Sequence, residues 1–393
     1  QPVASASATD AEAVPSETQV PVVVADSRVG SPATEPLQVP AETNASATAM
    51  ATTGLDLSPE VEACDIAAGS SAFEYELQAL GRNPVKFVEI DTETAISACL
   101  KAFEIAPDSP RIRHQLARAY TKGGEASPER FDKAAELYLL NCPEEGTPFP
   151  ASCANLASLY EEGQIGLKPN ASKAVLYYGL ACDGGDAQSC ANQAQRFRSS
   201  DGTRDLSKAR SAAEKACSMS SVDGSGLGCR ILGYMYELGE IGGVPDYTRA
   251  NENYLRSCDE GHARGCFAAA YLMRNQVEIR DLVRAAEIAR KGCDLAQADG
   301  SDGACWTLGD MYKLGEVDGT PDLESAVKYY SASCDLDDVS GCAHAAYLLW
   351  SKDTVKDLGK AYFLATKACS RPQEVPRGNL SSVWGCSTAG RIL

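Results

Sequence analysis

The sequence predicts an all-α chain, a right-handed α/α solenoid built from disulfide-linked antiparallel helix pairs. Three observations predict it. Seven alanines (Ala134, Ala174, Ala209, Ala250, Ala285, Ala326 and Ala361) are each followed eight residues later by a cysteine (Cys142, Cys182, Cys217, Cys258, Cys293, Cys334 and Cys369). Each is followed in turn by a second cysteine: Cys153, Cys190, Cys229, Cys266, Cys305, Cys342 and Cys386. The intervals Cys182 to Cys258 to Cys334 and Cys217 to Cys293 to Cys369 are all 76 residues, so the sequence unit is a duplicated pair of repeats. Self-similarity at a fixed period is the mark of stacked supersecondary units.

Taken in chain order, residues 1–58 contain no Phe, Trp, Tyr, Ile or Cys and are rich in Ala, Thr, Ser, Pro, Val and Glu. Such a segment cannot bury enough apolar area to offset its conformational entropy, and it reads as a disordered tail or linker. Through Glu60 it carries eight acids against Arg28, a large share of the net charge of −18. It reads as a solvated spacer or tether, with an unremarkable terminus as the bland alternative. Residues 59–125 form a cysteine-bounded cap and one further helical pair. Residues 126–393 hold the seven repeats, the last shortened because the chain stops at Leu393, early in its second helix.

Within a repeat, Asn170, Asp205, Asp246, Asp281, Asp322 or Asp357 stands four residues before the alanine, where a side-chain oxygen can take a free backbone N–H of the first turn. These are the expected helix N-caps. Apolar residues then recur at helical spacing, as in Ala209, Ala212, Ala213 and Ala216, and such small side chains permit close packing. The first cysteine ends this helix A and the second opens helix B. Gly239 is placed to end helix B in the left-handed conformation.

The turn between the helices brings the two cysteines of a repeat together, so seven sequential intra-repeat disulfides are expected. Cys64 and Cys99 remain, and pairing them leaves no odd thiol. Two alternatives stand beside this reading: reduced buried thiols, and zinc. Zinc sites favour ligands two to four residues apart, whereas most of these pairs have seven or eleven residues between them, and His114, His262 and His344 are scattered. Disulfides imply an oxidising compartment, so a periplasmic, cell-surface or secreted location is expected.

These residues carry a family resemblance. The runs KAVLYYGLACDGGDAQSCANQAQRF, RANENYLRSCDEGHARGCFAAAYL and SAVKYYSASCDLDDVSGCAHAAYLL resemble Sel-one-like repeats, relatives of the tetratricopeptide repeat, in the disulfide-bridged form of secreted cysteine-rich bacterial proteins. The stretch from Ile96 to Gly123 is similar to a tetratricopeptide unit, with Pro107, Asp108 and Ser109 at its turn and Ala117 and Tyr120 in its second helix. The segment before it resembles the cysteine-bounded cap of such arrays. The resemblance implies a non-catalytic scaffold that binds another protein or a peptide on a concave face lined by helix A, in the bacterial cell envelope. It leaves two alternatives, a structural subunit of a larger envelope assembly and the penicillin-binding or weak β-lactamase activity linked to cysteine-rich relatives.

Composition excludes other classes. An acidic chain of pI near 4.7 repels phosphate backbones, so no nucleic-acid partner is expected. No run of about eighteen apolar residues is present, so no transmembrane span is expected, while a membrane tether before Gln1 stays open. No cofactor, metal or catalytic residue is predicted. Ser325 and Lys328 make the one Ser-x-x-Lys considered, without Ser-Asp-Asn or Lys-Thr-Gly. The loops 223–226 and 299–303 loosely resemble calcium loops but lack the twelve-residue frame. Tyr138, Tyr178, Tyr254 and Tyr330, four residues before a first cysteine, and Tyr160, Tyr236 and Tyr312, seven after a second, read as packed between helices rather than as a binding face.

Overall fold

The computed structural model describes residues 58–164, 168–199, 202–219, 224–299, 303–370 and 381–392. The tail 1–57 and parts of the two loops with calcium-like composition lie outside them. Among the described residues the secondary structure is helical, with α1 at Pro59–Ala68, α2 at Glu74–Ala79, α3 at Thr92–Ile105 and α4 at Pro110–Gly123. The repeat pairs follow: α5 (Glu129–Asn141) with α6 (Pro150–Glu162), α7 (Ala171–Asp183) with α8 (Ala187–Arg198), and α9 (Leu206–Ser218) with α10 (Ser225–Glu237). Next come α11 (Tyr247–Asp259) with α12 (Ala263–Asn275), α13 (Leu282–Asp299) with α14 (Gly303–Leu314), α15 (Leu323–Asp335) with α16 (Val339–Ser351), and α17 (Leu358–Cys369) with α18 (Ser381–Ile392). α1 packs on α3, and from α3 onward each helix packs on the next, giving an all-α, right-handed α/α solenoid. The last second helix, α18, has twelve residues and starts five residues ahead of Cys386.

The helices start where capping chemistry starts them. Asn170, Asp205, Asp246, Asp281, Asp322 and Asp357 each accept a hydrogen bond from the backbone N–H three residues on, at 2.9 to 3.0 Å. Two aspartates do the same for second helices. Asp186 accepts from Ser189 N and Asp338 from Gly341 N, and both stand four residues before a second cysteine. Gly239 and Gly315, with φ of +69° and +71°, end the exits of α10 and α14, where a side chain would also strike the backbone of Val244 or Thr320.

Eight disulfides tie the pairs. They join Cys64 to Cys99, Cys142 to Cys153, Cys182 to Cys190, Cys217 to Cys229, Cys258 to Cys266, Cys293 to Cys305, Cys334 to Cys342 and Cys369 to Cys386, with Cα atoms 4.5 to 5.3 Å apart. The first staples α1 to α3; the rest each close one helical hairpin. Around them the core is thin, with Ala209, Ala213, Ala250, Ala285, Ala289 and Ala361 fully buried between helices. Small residues bury little area each, so covalent closure of each hairpin matters more than in a leucine-rich core.

The N-terminal module is held by one polar face of α4. Asp65, fully buried in α1, accepts from Arg82, from Arg111 Nη1 at 2.6 Å and from Gln115 Nε2 at 3.0 Å. Arg118 donates to the carbonyls of Ala68, Gly69 and Val85, satisfying the end of α1 that no further helical turn covers. On the same helix His114 sits between Ser70 Oγ, 3.3 Å from Nε2, and Ser152 Oγ, 3.0 Å from Nδ1, so it bridges the module to α6. Burial, reinforced by the Arg118 charge, pushes its pKa down to about 3.

Two outcomes follow from this packing. Replacing Cys258 and Cys266 together by alanine opens a short loop, and loop entropy assigns that a loss of about 2.5 kcal/mol; replacing Cys64 and Cys99 opens a longer one, for about 4 kcal/mol. Urea unfolding of the two double variants should rank them in that order. His114 titrates near 6.5 unfolded and near 3 folded, so its contribution is complete above the unfolded value and is lost as pH falls towards the folded one. The drop in Tm between pH 7 and pH 4.5 should therefore be smaller in His114→Gln than in the parent, and equal drops would show that His114 is not held neutral.

Candidate binding face of the first helices

The predicted site residues divide into those that hold the stack and those that face solvent. The tyrosines four residues before the first cysteines are interior: Tyr138, Tyr178, Tyr254 and Tyr330 are at most 2 % exposed. Their rings fit because small residues face them. A side-chain carbon added at Gly233 would lie 2.6 Å from the Tyr254 ring, and one at Gly309 would lie 2.9 Å from that of Tyr330.

The Tyr138 hydroxyl meets Thr121 and Asn155, and the other three reach carboxylates on the preceding second helix. Tyr178 donates to Glu161 and Tyr254 to Glu237, both at 2.5 Å, and Tyr330 donates to Asp310 at 3.0 Å. Arginines hold two of these acids in place: Arg196 pairs with Glu161, and Arg274 with Asp310 at 2.7 Å. Burial first, then the adjacent carboxylate, raises the pKa of all three phenols, so they stay protonated donors. The sequence carries no direct signal for these acids beyond their spacing of 17 to 20 residues ahead of the tyrosine.

Tyr160 and Tyr312, the tyrosines seven after a second cysteine, stack on Tyr177 and Tyr329 with centroids 5.6 and 5.5 Å apart. Arg249 lies over Tyr236. Ser325 is in the first turn of α15, its N–H bonded to Asp322, and Lys328 lies exposed over the Tyr329 ring, so the two form no nucleophile and base pair. His114 has serines on both sides yet is 1 % exposed, with no path for a substrate. His344 donates through Nδ1 to the Ser340 carbonyl at 2.7 Å and packs edge-on to Trp306. Among the described residues no group of three or more His, Cys, Asp and Glu could hold a metal, and no helix is long and apolar enough to cross a membrane.

Both rows of helices reach solvent, and they differ in how they pack. Second helices of successive pairs touch, α8 with α10, α12 with α14 and α16 with α18, whereas the first helices stand apart. Across the gaps runs a ladder with the 76-residue period. Asp183 pairs with Lys215 at 2.7 Å, Asp259 with Lys291 at 2.7 Å, and Asp335 with Lys367 at 4.0 Å. These pairs are exposed and contribute little to stability, so their recurrence marks a common surface. Between α7 and α9 the gap widens into a groove of about 590 Å³, floored by Gln193 and Phe197 of α8.

Comparison with known proteins agrees with this geometry. Residues 150–186, 227–262, 303–338 and 342–372 match the Sel1 repeat model. Each matched segment runs from the second helix of one disulfide-linked pair into the first helix of the next. A Xenopus tropicalis protein named cytochrome c oxidase assembly factor 7 is 34% identical over 130 residues, covering 32% of this chain and 54% of that protein. The Homo sapiens protein of that name is 33% identical over 86 residues, 21% of this chain and 37% of that protein. The chain thus spans about half the length, or less, of these curated relatives. Among solved structures, a protective antigen present in uropathogenic Escherichia coli strains, displaying an SLR fold, superposes with a TM-score of 0.55 at 19% identity, covering 85% of this chain and 72% of that one. That likeness is one of fold. With the sequence repeats, the helix pairs and this fold in agreement, the chain is a Sel1-repeat protein.

Proposed function

We propose that the chain is a non-catalytic scaffold that holds another protein or a peptide on the face of its first helices, in an oxidising compartment outside the cytoplasm such as the periplasm or cell surface. The observation that carries this reading is the row of first helices standing apart along a stack whose seven repeat hairpins are each closed by a disulfide. A rigid, extended surface with gaps between helices suits recognition of a partner, because little of it must be ordered on binding. Eight disulfides support the oxidising location.

The curated relatives favour a second reading, in which the scaffold serves the assembly of a larger complex, as the name of the cytochrome c oxidase assembly factor 7 proteins says of them. An assembly factor releases its partner once the complex is complete. A structural subunit keeps it.

Photo-crosslinking tests the face. A benzophenone amino acid placed at Leu176, Glu252 or Lys328, exposed positions one 76-residue period apart on first helices, should capture the same protein partner in cells of the native host. The same probe at Tyr271 or Tyr347, exposed on second helices, should capture none. Capture confined to the second-helix positions, or at no position, contradicts the assignment of the face.

A further inference from the structure

The groove between α7 and α9 is not a general property of the repeat. One period further on, between α11 and α13, the corresponding positions are larger: Gly179 becomes Leu255 and Ala212 becomes Ile288. Both of those side chains are partly buried against the core of their step and occupy the gap. Two periods on, the Ala212 position is Leu364, 3 % exposed. At α7 and α9 the gap is open, and its two walls carry residues with little or no side chain.

The open step has an apolar interior and a basic rim. Val175 and Leu176 line one wall and Phe197 the floor, and Leu176 is 41% exposed although it is aliphatic. Lys208 lies over the Phe197 ring at 5.6 Å with its ammonium at the rim, and Lys215 stands at the other edge. The two flanking helices with their caps carry Lys173, Lys208, Arg210 and Lys215 against Asp183, Asp205 and Glu214, a net excess of one cation in a chain of net charge −18. The matching stretches of the filled step, 246–259 and 281–294, carry five cations against six carboxylates. A local positive field in an acidic protein concentrates acidic ligands there and repels them elsewhere.

Resting on the scaffold reading above, we infer that this groove is a peptide subsite that takes an extended segment of the partner, with an aliphatic side chain seated between Gly179 and Ala212 and a neighbouring Asp or Glu at Lys208 and Lys215. The volume of about 590 Å³ accommodates one such side chain and its flanking backbone. Gln193 Nε2, which already donates to the Val175 carbonyl at 3.1 Å, holds the wall of α7 in place beneath it.

The test is selection from a displayed library of random nonapeptides on the full oxidised chain, run beside two variants. The first, Gly179→Leu with Gln193→Ala and Ala212→Ile, copies the filled step. Gln193→Ala is included because a side chain at Gly179 would meet Gln193 Nε2 at 2.5 Å. The second, Lys208→Gln with Lys215→Gln, changes only the rim and leaves the walls intact. Peptides enriched on the parent should pair Leu, Ile or Val with an adjacent Asp or Glu, bind the filled variant at least tenfold more weakly, and bind the rim variant several-fold more weakly with a reduced salt dependence. Enriched peptides that bind the parent and the filled variant equally overturn the subsite and leave the scaffold reading standing. Enrichment of basic or neutral peptides overturns the acidic occupant, and no enrichment overturns the subsite, while the crosslinking at the first helices judges the scaffold reading separately.

Discussion

Everything in this stack depends on the corner where a first helix turns into its second. There the two cysteines of a pair approach to a Cα separation of 4.5 to 5.3 Å, and the covalent link fixes the angle between helices that bury mostly alanine. A core of alanines permits close helix approach but yields little transfer free energy per residue. Closing each hairpin lowers the entropy of the unfolded chain instead, and the hairpins then stack through the second helices. In α7, α11 and α15 a tyrosine adds a large buried side chain, tied by its hydroxyl to an acid of the preceding second helix.

That division of labour explains what faces solvent. With the stack closed by disulfides, tyrosines and contacts between second helices, the first helices need not pack on one another. Their outer faces are free to vary. The Asp and Lys ladder keeps its period along them while the wall residues change from Gly179 and Ala212 to Leu255 and Ile288.

Much of the architecture is legible in the sequence because it is periodic. The eight-residue interval from alanine to cysteine and the aspartate four residues ahead express, in one dimension, the length of a helix and its cap. The structure adds what periodicity cannot carry. Asp65 meets Arg111 and Gln115 from about fifty residues away, and Arg118 caps α1 through the carbonyls of Ala68 and Gly69, contacts set by the fold of a module that occurs once. The capping roles of Asp186 and Asp338 were readable four residues ahead of the second cysteines, and the search for caps on first helices alone passes over them. The groove is a third kind of case: comparing positions 76 apart exposes the small residues, but only the splay of the first helices turns small residues into an opening.

The claim at the centre is that each hairpin is closed on itself. Peptide mapping of the chain isolated from its native host, digested without reduction and read by mass spectrometry, tests it directly. The account predicts eight linked peptides, one joining Cys64 to Cys99 and seven joining neighbouring cysteines of one hairpin, with no free thiol. Free thiols in the native protein, or links between cysteines of different hairpins, would contradict it.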